Sequence, residues 1–203
     1  MAPLVARTMG KPQDRKALYM AGVFGAVHPE WDAEKAVDAL LPLVRRCEKR
    51  LVLVFLGKNN LPSAAFEDLK FRLKHRAEVI VAGEMSSREI SRLLQTLDLG
   101  LATTPRQLIQ KSSAVAAMLE HGLQVLVIRD DWHLDRSESA PETATSRLLT
   151  PRQMASLDAL PLLQSDSPAE IRIESVAAKM LGDIRPGSLK EAIPYETNSV
   201  CGN

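Results

Sequence analysis

Three polar residues in the middle of the chain have the types and the spacing of an anion-binding site. Lys111, Ser112 and Ser113 stand between an apolar segment at 99–102, a predicted strand, and a predicted helix that ends at Gly122. A serine at a helix start satisfies free backbone N–H groups, and the positive end of the helix attracts anions. Spacing alone is equally compatible with serines that only cap the helix and with a solvated Lys111.

Two glycines after predicted strands extend this candidate site. Gly25 follows the strand predicted at 16–23, and Gly83 follows the strand predicted at 77–82. Glycine permits a tight turn and a close approach of a ligand to the backbone. A single glycine after a strand is not a dinucleotide-binding fingerprint, so the turn alone also explains each of them.

Other kinds of site lack the required patterns. The four histidines have no paired-ligand spacing, so we predict no metal site; they are His28, His75, His121 and His133. Gly57 and Lys58 are followed by Asn instead of Ser or Thr, which excludes a Walker A loop. Ser86 and Glu89 have the spacing of a capping box, so Glu89 is predicted to cap a helix and not to catalyse.

Composition describes an ordinary globular protein. The chain has 203 residues, of which 45% are hydrophobic and 25% charged, and its net charge of +1 predicts no general attraction to nucleic acid or anionic membranes. Cys47 and Cys201 lie far apart, which favours a reducing, cytoplasmic compartment without a disulfide framework. No apolar run approaches the ~20 residues of a membrane span, and the first residues lack the apolar core of a secretory signal.

Alternation of apolar strands with amphipathic helices predicts an open, doubly wound parallel sheet of five or six strands with helices on both faces. The five strands are predicted at 16–23, 51–56, 77–82, 99–102 and 125–128. A sixth edge strand is expected near 160–163, after an exposed loop at 135–150, and a helix is expected from Ser167 to Gly182. The predicted domain spans 16–184, between a leader or linker at 1–15 and a flexible tail at 185–203.

The segment LGLATTPRQLIQKSSAVAAMLEHGLQVLVIRDD, at 99–131, resembles the corresponding segment of GT-B glycosyltransferases. It is similar to the second of their two Rossmann-like domains, which binds the nucleotide-sugar donor, in the large bacterial group that makes lipopolysaccharide and exopolysaccharide. The resemblance extends over about 16–184. It implies a single Rossmann-like GT-B half, and a sugar transferred from a UDP- or GDP-sugar to a glycan or lipid-linked acceptor.

The resemblance also implies roles for individual residues and partners. Residues facing the donor diphosphate would be Gly25, Lys111, Ser112 and Ser113; Gly83 and Glu84 would lie near the base, and Asp130 and Asp131 would contact ribose or sugar hydroxyls. The nucleotide-sugar is a substrate, and no separate cofactor is implied. The expected partner is an N-terminal acceptor-binding domain, for which the chain has no room, and neither nucleic acid nor an integral membrane segment is expected.

Two departures from the family keep other functions open. Many retaining members carry two glutamates eight positions apart near this helix; aligned on Gly122, those positions hold Ile109 and Ala117. The loop after the first strand, at 24–28, lacks the Arg and Lys that many members use against the diphosphate, so Lys111 would neutralise more of its charge. The alternatives are a non-catalytic Rossmann-like scaffold and half of a nucleotide-sugar epimerase. Nucleotide binding separates the donor domain from the scaffold.

Overall fold

The computed structural model describes residues 15–129 and 147–161. Within them the chain forms one six-stranded sheet, with spatial order β3-β2-β1-β4-β5-β6, and every recorded pair of neighbouring strands is parallel. The strands are β1 Leu18–Phe24, β2 Arg50–Leu56, β3 Glu78–Gly83, β4 Leu99–Ala102, β5 Val125–Val127 and β6 Leu148–Leu149. The predicted doubly wound parallel fold is confirmed.

Helices cover both faces of the sheet, and the side chains of the central strands alternate between two cores. The helices are α1 Ala33–Arg46, α2 Ser63–Leu73, α3 Ser87–Leu94, α4 Ser113–Glu120 and α5 Pro151–Ala155, with a 3₁₀ helix at Arg106–Lys111. Tyr19 and Leu53 belong to the core that holds α1, α2 and α5. Met20 and Val52 belong to the core that holds α3 and α4. Strands with both faces buried explain the continuous apolar runs in the sequence.

Several helix ends lie where local sequence motifs predicted them. The Ser86 hydroxyl accepts a hydrogen bond from the Glu89 N–H, and the Glu89 carboxylate accepts one from the Ser86 N–H at 3.0 Å, so the predicted capping box is confirmed. Hydrogen bonds from Ser86 lower the pKa of Glu89. Gly122 follows α4 with a φ of 83°, the left-handed conformation expected of a closing glycine.

The sixth strand is not where the sequence predicted it. Leu148–Leu149 pairs with β5, whereas Leu160 is buried in the core against α1 and α5. A strand of two residues is too short to show a periodicity, and Leu160 is apolar because it packs. The exposed loop predicted at 135–150 is wrong at 148–149; the rest of it up to 146, the helix predicted from Ser167 and the tail lie outside the described residues.

A buried carboxylate joins the amino ends of β1 and β4. Asp98 is 7% exposed, and its two oxygens accept hydrogen bonds from the Met20 N–H and from Arg15 Nη2, both at 2.8 Å. Arg15 also donates to the carbonyl oxygen of Thr96. This network fixes the register of β4 beside β1, because it ties the residue before β4 to the third residue of β1.

Replacing this carboxylate tests its structural role. We expect Asp98→Ala to lower the free energy of unfolding by about 3 kcal/mol, since it leaves Arg15 and a buried N–H without their partner. Asp68→Ala is the matched control, because Asp68 pairs with Arg72 at the exposed surface of α2 and should contribute under about 1 kcal/mol. Urea denaturation of both variants measures the difference, and equal losses would contradict the assigned role.

Candidate anion-binding site

A cavity of about 270 Å³ opens at the carboxyl ends of β1 and β4. From β1 the sheet continues through β2 to β3, and from β4 it continues the other way through β5 to β6. The strand order therefore reverses between β1 and β4, at the topological switch point of the sheet. Ligands of open α/β sheets bind at such a point of reversal, because the loops that follow the two strands run in opposite directions and leave a crevice. The cavity is lined by Phe24, Gly25, Ala26, Leu101, Ala102, Thr103, Thr104, Lys111, Ser112, Ser113, Ala114, Val115 and Met118.

The turn after β1 forms one wall of this cavity. Gly25 has a φ of 78°, and its N–H donates to the carbonyl oxygen of Leu56 at 2.9 Å, which fixes the turn. A Cβ added to Gly25 would meet no atom within 4 Å. The backbone at Gly25 therefore faces open space, where a ligand could approach it closely.

The start of α4 forms the opposite wall. The Ser112 hydroxyl accepts hydrogen bonds from the Val115 N–H and from the Thr104 hydroxyl, both at 3.3 Å, so the predicted helix cap is present. The part of the chain that the structure describes offers no acceptor to the N–H groups of Ser113 and Ala114. Free N–H groups at the positive end of a helix are suited to bind an anion.

Lys111 supplies a positive charge beside these N–H groups. It is the last residue of the 3₁₀ helix that leads into α4, and its side chain is exposed. Among the described residues no carboxylate lies within 4 Å of its ammonium group, so its charge is not neutralised by an ion pair there. Gly25, Lys111, Ser112 and Ser113 are thus brought to one cavity.

Thr103 and Thr104 also line the cavity, although neither was predicted from the sequence to do so. Thr103 is 8% exposed, and its hydroxyl donates to the carbonyl oxygen of Ala26 at 3.1 Å, which joins the ends of β4 and β1. Thr104 also lines the cavity and bonds to Ser112. Their position directly after a buried strand, equivalent to that of Gly25 after β1, was the available signal.

Gly83 and Glu84, which were assigned to the base, are not brought to this cavity. Gly83 is the last residue of β3 and Glu84 follows it. Because β2 separates β3 from β1, both residues lie about 10 Å across the sheet from the end of β1. Gly83 has a φ of 73°, and its carbonyl oxygen accepts from the Gly57 N–H at 2.9 Å. Asp130 and Asp131 lie outside the described residues.

A buried arginine holds the loop that continues from the β1 turn. Arg129 is 5% exposed, its Nη1 donates to His28 Nδ1 at 2.6 Å, and its Nη2 pairs with the Glu30 carboxylate. Because Nδ1 of His28 accepts this bond, the ring carries its proton on Nε2. The contact between Arg129 and His28 was not predicted from the sequence, since the two residues are 101 positions apart.

The described residues contain neither a metal-binding cluster nor a membrane-spanning helix. No three His, Cys, Asp or Glu side chains there are grouped so that they could hold a metal ion. None of the helices in that part of the chain is long and apolar enough to cross a membrane.

Several solved glycosyltransferase structures are similar to this chain. One is the catalytic domain of cholesterol-alpha-glucosyltransferase from Helicobacter pylori, at 17% identity over 54% of this chain and 64% of that one, with a TM-score of 0.40. A second is the C-terminal domain of a glycosyl transferase group 1 family protein from Francisella tularensis, at 16% identity over 70% and 74%, with a TM-score of 0.46. A third is a glycosyltransferase involved in lipopolysaccharide biosynthesis, at 18% identity over 63% and 33%, with a TM-score of 0.38.

No protein-family model and no curated protein matches the chain. The match spans 64% of the first of these structures and 33% of the third. At identities of 16–18% and TM-scores of 0.38–0.46 these matches assign no activity to the chain, so the function has to be argued from the cavity.

Substitution of Gly25, with Gly83 as control, tests whether the turn after β1 contacts the ligand. Both glycines have a positive φ. Gly25→Ala should cost about 1–2 kcal/mol of stability, because alanine is strained at positive φ, and its methyl group should weaken pyrophosphate binding about tenfold or more by occupying the space of the ligand. Gly83→Ala has the same strain and the same open surroundings but lies outside the cavity. It should lose the same stability and retain pyrophosphate affinity. Calorimetric titration and urea denaturation measure both; equal weakening of binding would contradict the assignment.

Proposed function

We propose that this chain is the donor-binding half of a glycosyltransferase, which binds a nucleotide-sugar through its diphosphate. The observation that carries the proposal is the cavity at the reversal point of the sheet, where the N–H groups of Ser113 and Ala114 and the charge of Lys111 meet. The chemistry of the cavity matches a phosphate group. The cavity offers the N–H groups of Ser113 and Ala114 and the cation of Lys111, and its lining contains no carboxylate.

The size of the cavity supports a phosphate group as the part of the ligand bound there. A volume of about 270 Å³ is at the lower end for a small-molecule pocket, too small for a complete nucleotide-sugar. The base, ribose and sugar would therefore extend along the carboxyl edge of the sheet. Gly83 and Glu84 at the end of β3 are the proposed neighbours of the base, and Asp130 and Asp131 those of ribose or sugar hydroxyls.

The sugar-transfer part of the proposal rests on the sequence resemblance of 99–131 to GT-B donor domains. By that resemblance the donor is a UDP- or GDP-sugar and the acceptor a glycan or lipid-linked glycan, as in the making of bacterial surface polysaccharides. The acceptor and the catalytic base would be held by an N-terminal domain. This chain then supplies the donor, and transfer requires that partner.

A second candidate, a scaffold module of the same fold without catalysis, is favoured by one observation. Ile109, at one of the two positions where retaining relatives carry glutamate, is 8% exposed in the core behind α4 and does not line the cavity. The second position is Ala117. Neither residue can contact a sugar through a carboxylate, so the chain contributes no such pair to catalysis.

Titration of the chain with UDP, GDP and ADP tests the proposal. We expect one of them to bind with a dissociation constant between micromolar and low millimolar, and to be displaced by its own nucleotide-sugar. Isothermal titration calorimetry measures this directly. A folded protein that binds none of the three would sink the donor-domain proposal and leave the scaffold.

Lys111 is the residue whose removal should matter most to the nucleotide. Lys111→Ala should weaken binding of the nucleoside diphosphate by about 1.5–3 kcal/mol, because it removes a charged contact to the phosphates. Lys58→Ala is the matched control: Lys58 is also an exposed lysine beyond the carboxyl end of a strand, but it does not line the cavity. Its affinity should stay within about twofold of the parent chain. Unchanged affinity of a folded Lys111→Ala variant would remove Lys111 from the site.

A further inference from the structure

A second, larger cavity lies at the opposite edge of the sheet and is strongly basic. It measures about 610 Å³ and is bounded by the ends of α1 and α2 and by the first residues of β2 and β3. We call it the basic groove. Its lining includes His75, one acid, Glu78, and six cations, Arg45, Lys49, Arg50, Lys70, Lys74 and Arg76. These residues come from α1, α2, β2 and β3 and from the turns that follow the two helices, so only the fold brings them together.

Most of this positive charge is not paired with a carboxylate of residues 15–129 or 147–161. Arg76 pairs with Glu34 and Asp38, and Lys70 pairs with Glu67 at 2.7 Å. The other four cations of the groove have no carboxylate within 4 Å in the described part of the chain. They are Arg45, Lys49, Arg50 and Lys74, and of these Lys49 donates to a backbone carbonyl.

Stabilisation of helix ends does not account for so many cations. The carbonyl oxygens of Leu43, Val44 and Arg45 at the end of α1 already accept hydrogen bonds from backbone N–H groups. Each helix end carries about half a negative charge, so the two ends and Glu78 offset about two of the four unpaired cations. A positive surplus remains on this edge, while the whole chain has a net charge of only +1.

An exposed aromatic ring lies beside the groove. Phe71 of α2 is 69% exposed, and among the described residues it is the large hydrophobic side chain that faces solvent. The Lys74 ammonium group lies 4.6 Å from the centre of its ring. A cationic surface with a protruding aromatic side chain suits an anionic bilayer, because the cations attract the head groups while the ring enters the interface.

We propose that the basic groove and Phe71 dock this protein onto the surface of a membrane rich in anionic phospholipid. The surplus of positive charge complements such a surface. Single-stranded nucleic-acid sites stack successive bases on several aromatic side chains, whereas the described residues expose Phe71 alone, which favours a bilayer. The groove lies at the amino edge of the sheet and the anion-binding cavity at its carboxyl edge. A docked molecule therefore keeps that cavity open to a water-soluble donor.

Sedimentation of the full 203-residue chain with lipid vesicles tests the proposal. Vesicles of phosphatidylcholine containing phosphatidylglycerol should bind it, vesicles of phosphatidylcholine alone should not, and added salt should weaken binding through screening. Arg45→Gln with Lys74→Gln should reduce binding about 25-fold, from about fivefold for each lost charge near an anionic surface. Phe71→Ser should also reduce binding, although it leaves all charges in place.

The matched control removes two charges from the other face of the sheet. Arg88→Gln with Arg92→Gln changes exposed residues of α3 by the same net charge and should bind within about twofold of the parent chain. An equal loss in this control, or equal binding to both kinds of vesicle, would overturn the proposal. It would also be overturned if single-stranded RNA binds more tightly than vesicles and Phe71→Ser has no effect on either, since the surface would then be a nucleic-acid site. Urea denaturation establishes that each variant is folded.

Discussion

The pairing of β1 with β4 is the constraint on which the rest of this structure depends. These strands are neighbours in the sheet although two other strands separate them along the chain, and Ala21 pairs with Leu99. The Asp98 carboxylate secures the pair at its amino end by binding the Met20 N–H. Because the strand order reverses here, the turn after β1 and the loop after β4 part at the carboxyl end. The candidate anion-binding cavity occupies the space between them.

Parallel strands also give the two edges of the sheet opposite chemistry. Every helix that connects two of them starts near the carboxyl edge and ends near the amino edge, so free N–H groups collect at one edge and carbonyl groups at the other. At the carboxyl edge the start of α4 adds Lys111 to this field. At the amino edge the ends of α1 and α2 attract cations, and the basic groove carries more of them than the helix ends require.

The positive charge at the cavity is smaller than the negative charge of a diphosphate. A diphosphate carries about two negative charges, whereas a helix start supplies about half a positive charge and Lys111 one more. Arg129 lies under the loop after β1, but two of its guanidinium nitrogens bind His28 and Glu30, so it serves to hold that loop. A partner domain across the cavity would complete the neutralisation of the donor, which agrees with the proposal that transfer needs a second domain.

The sequence by itself determined the strands β1 to β5, the starts of α3 and α4 and the end of α4, because each of these depends on neighbours in the chain. Apolar runs marked β1, β2 and β4, and the Ser86 capping box and the Ser112 cap are local hydrogen bonds. The tertiary structure alone decided the two-residue strand β6, the contact of Arg129 with His28 and the meeting of Arg45 with Lys74. It also decided which glycine lines the cavity. Gly25 and Gly83 both lie at the carboxyl end of a strand, but the strand order sets Gly25 at the point of reversal and Gly83 two strands away. These features depend on which elements become neighbours in space, and long-range packing of the sheet determines that.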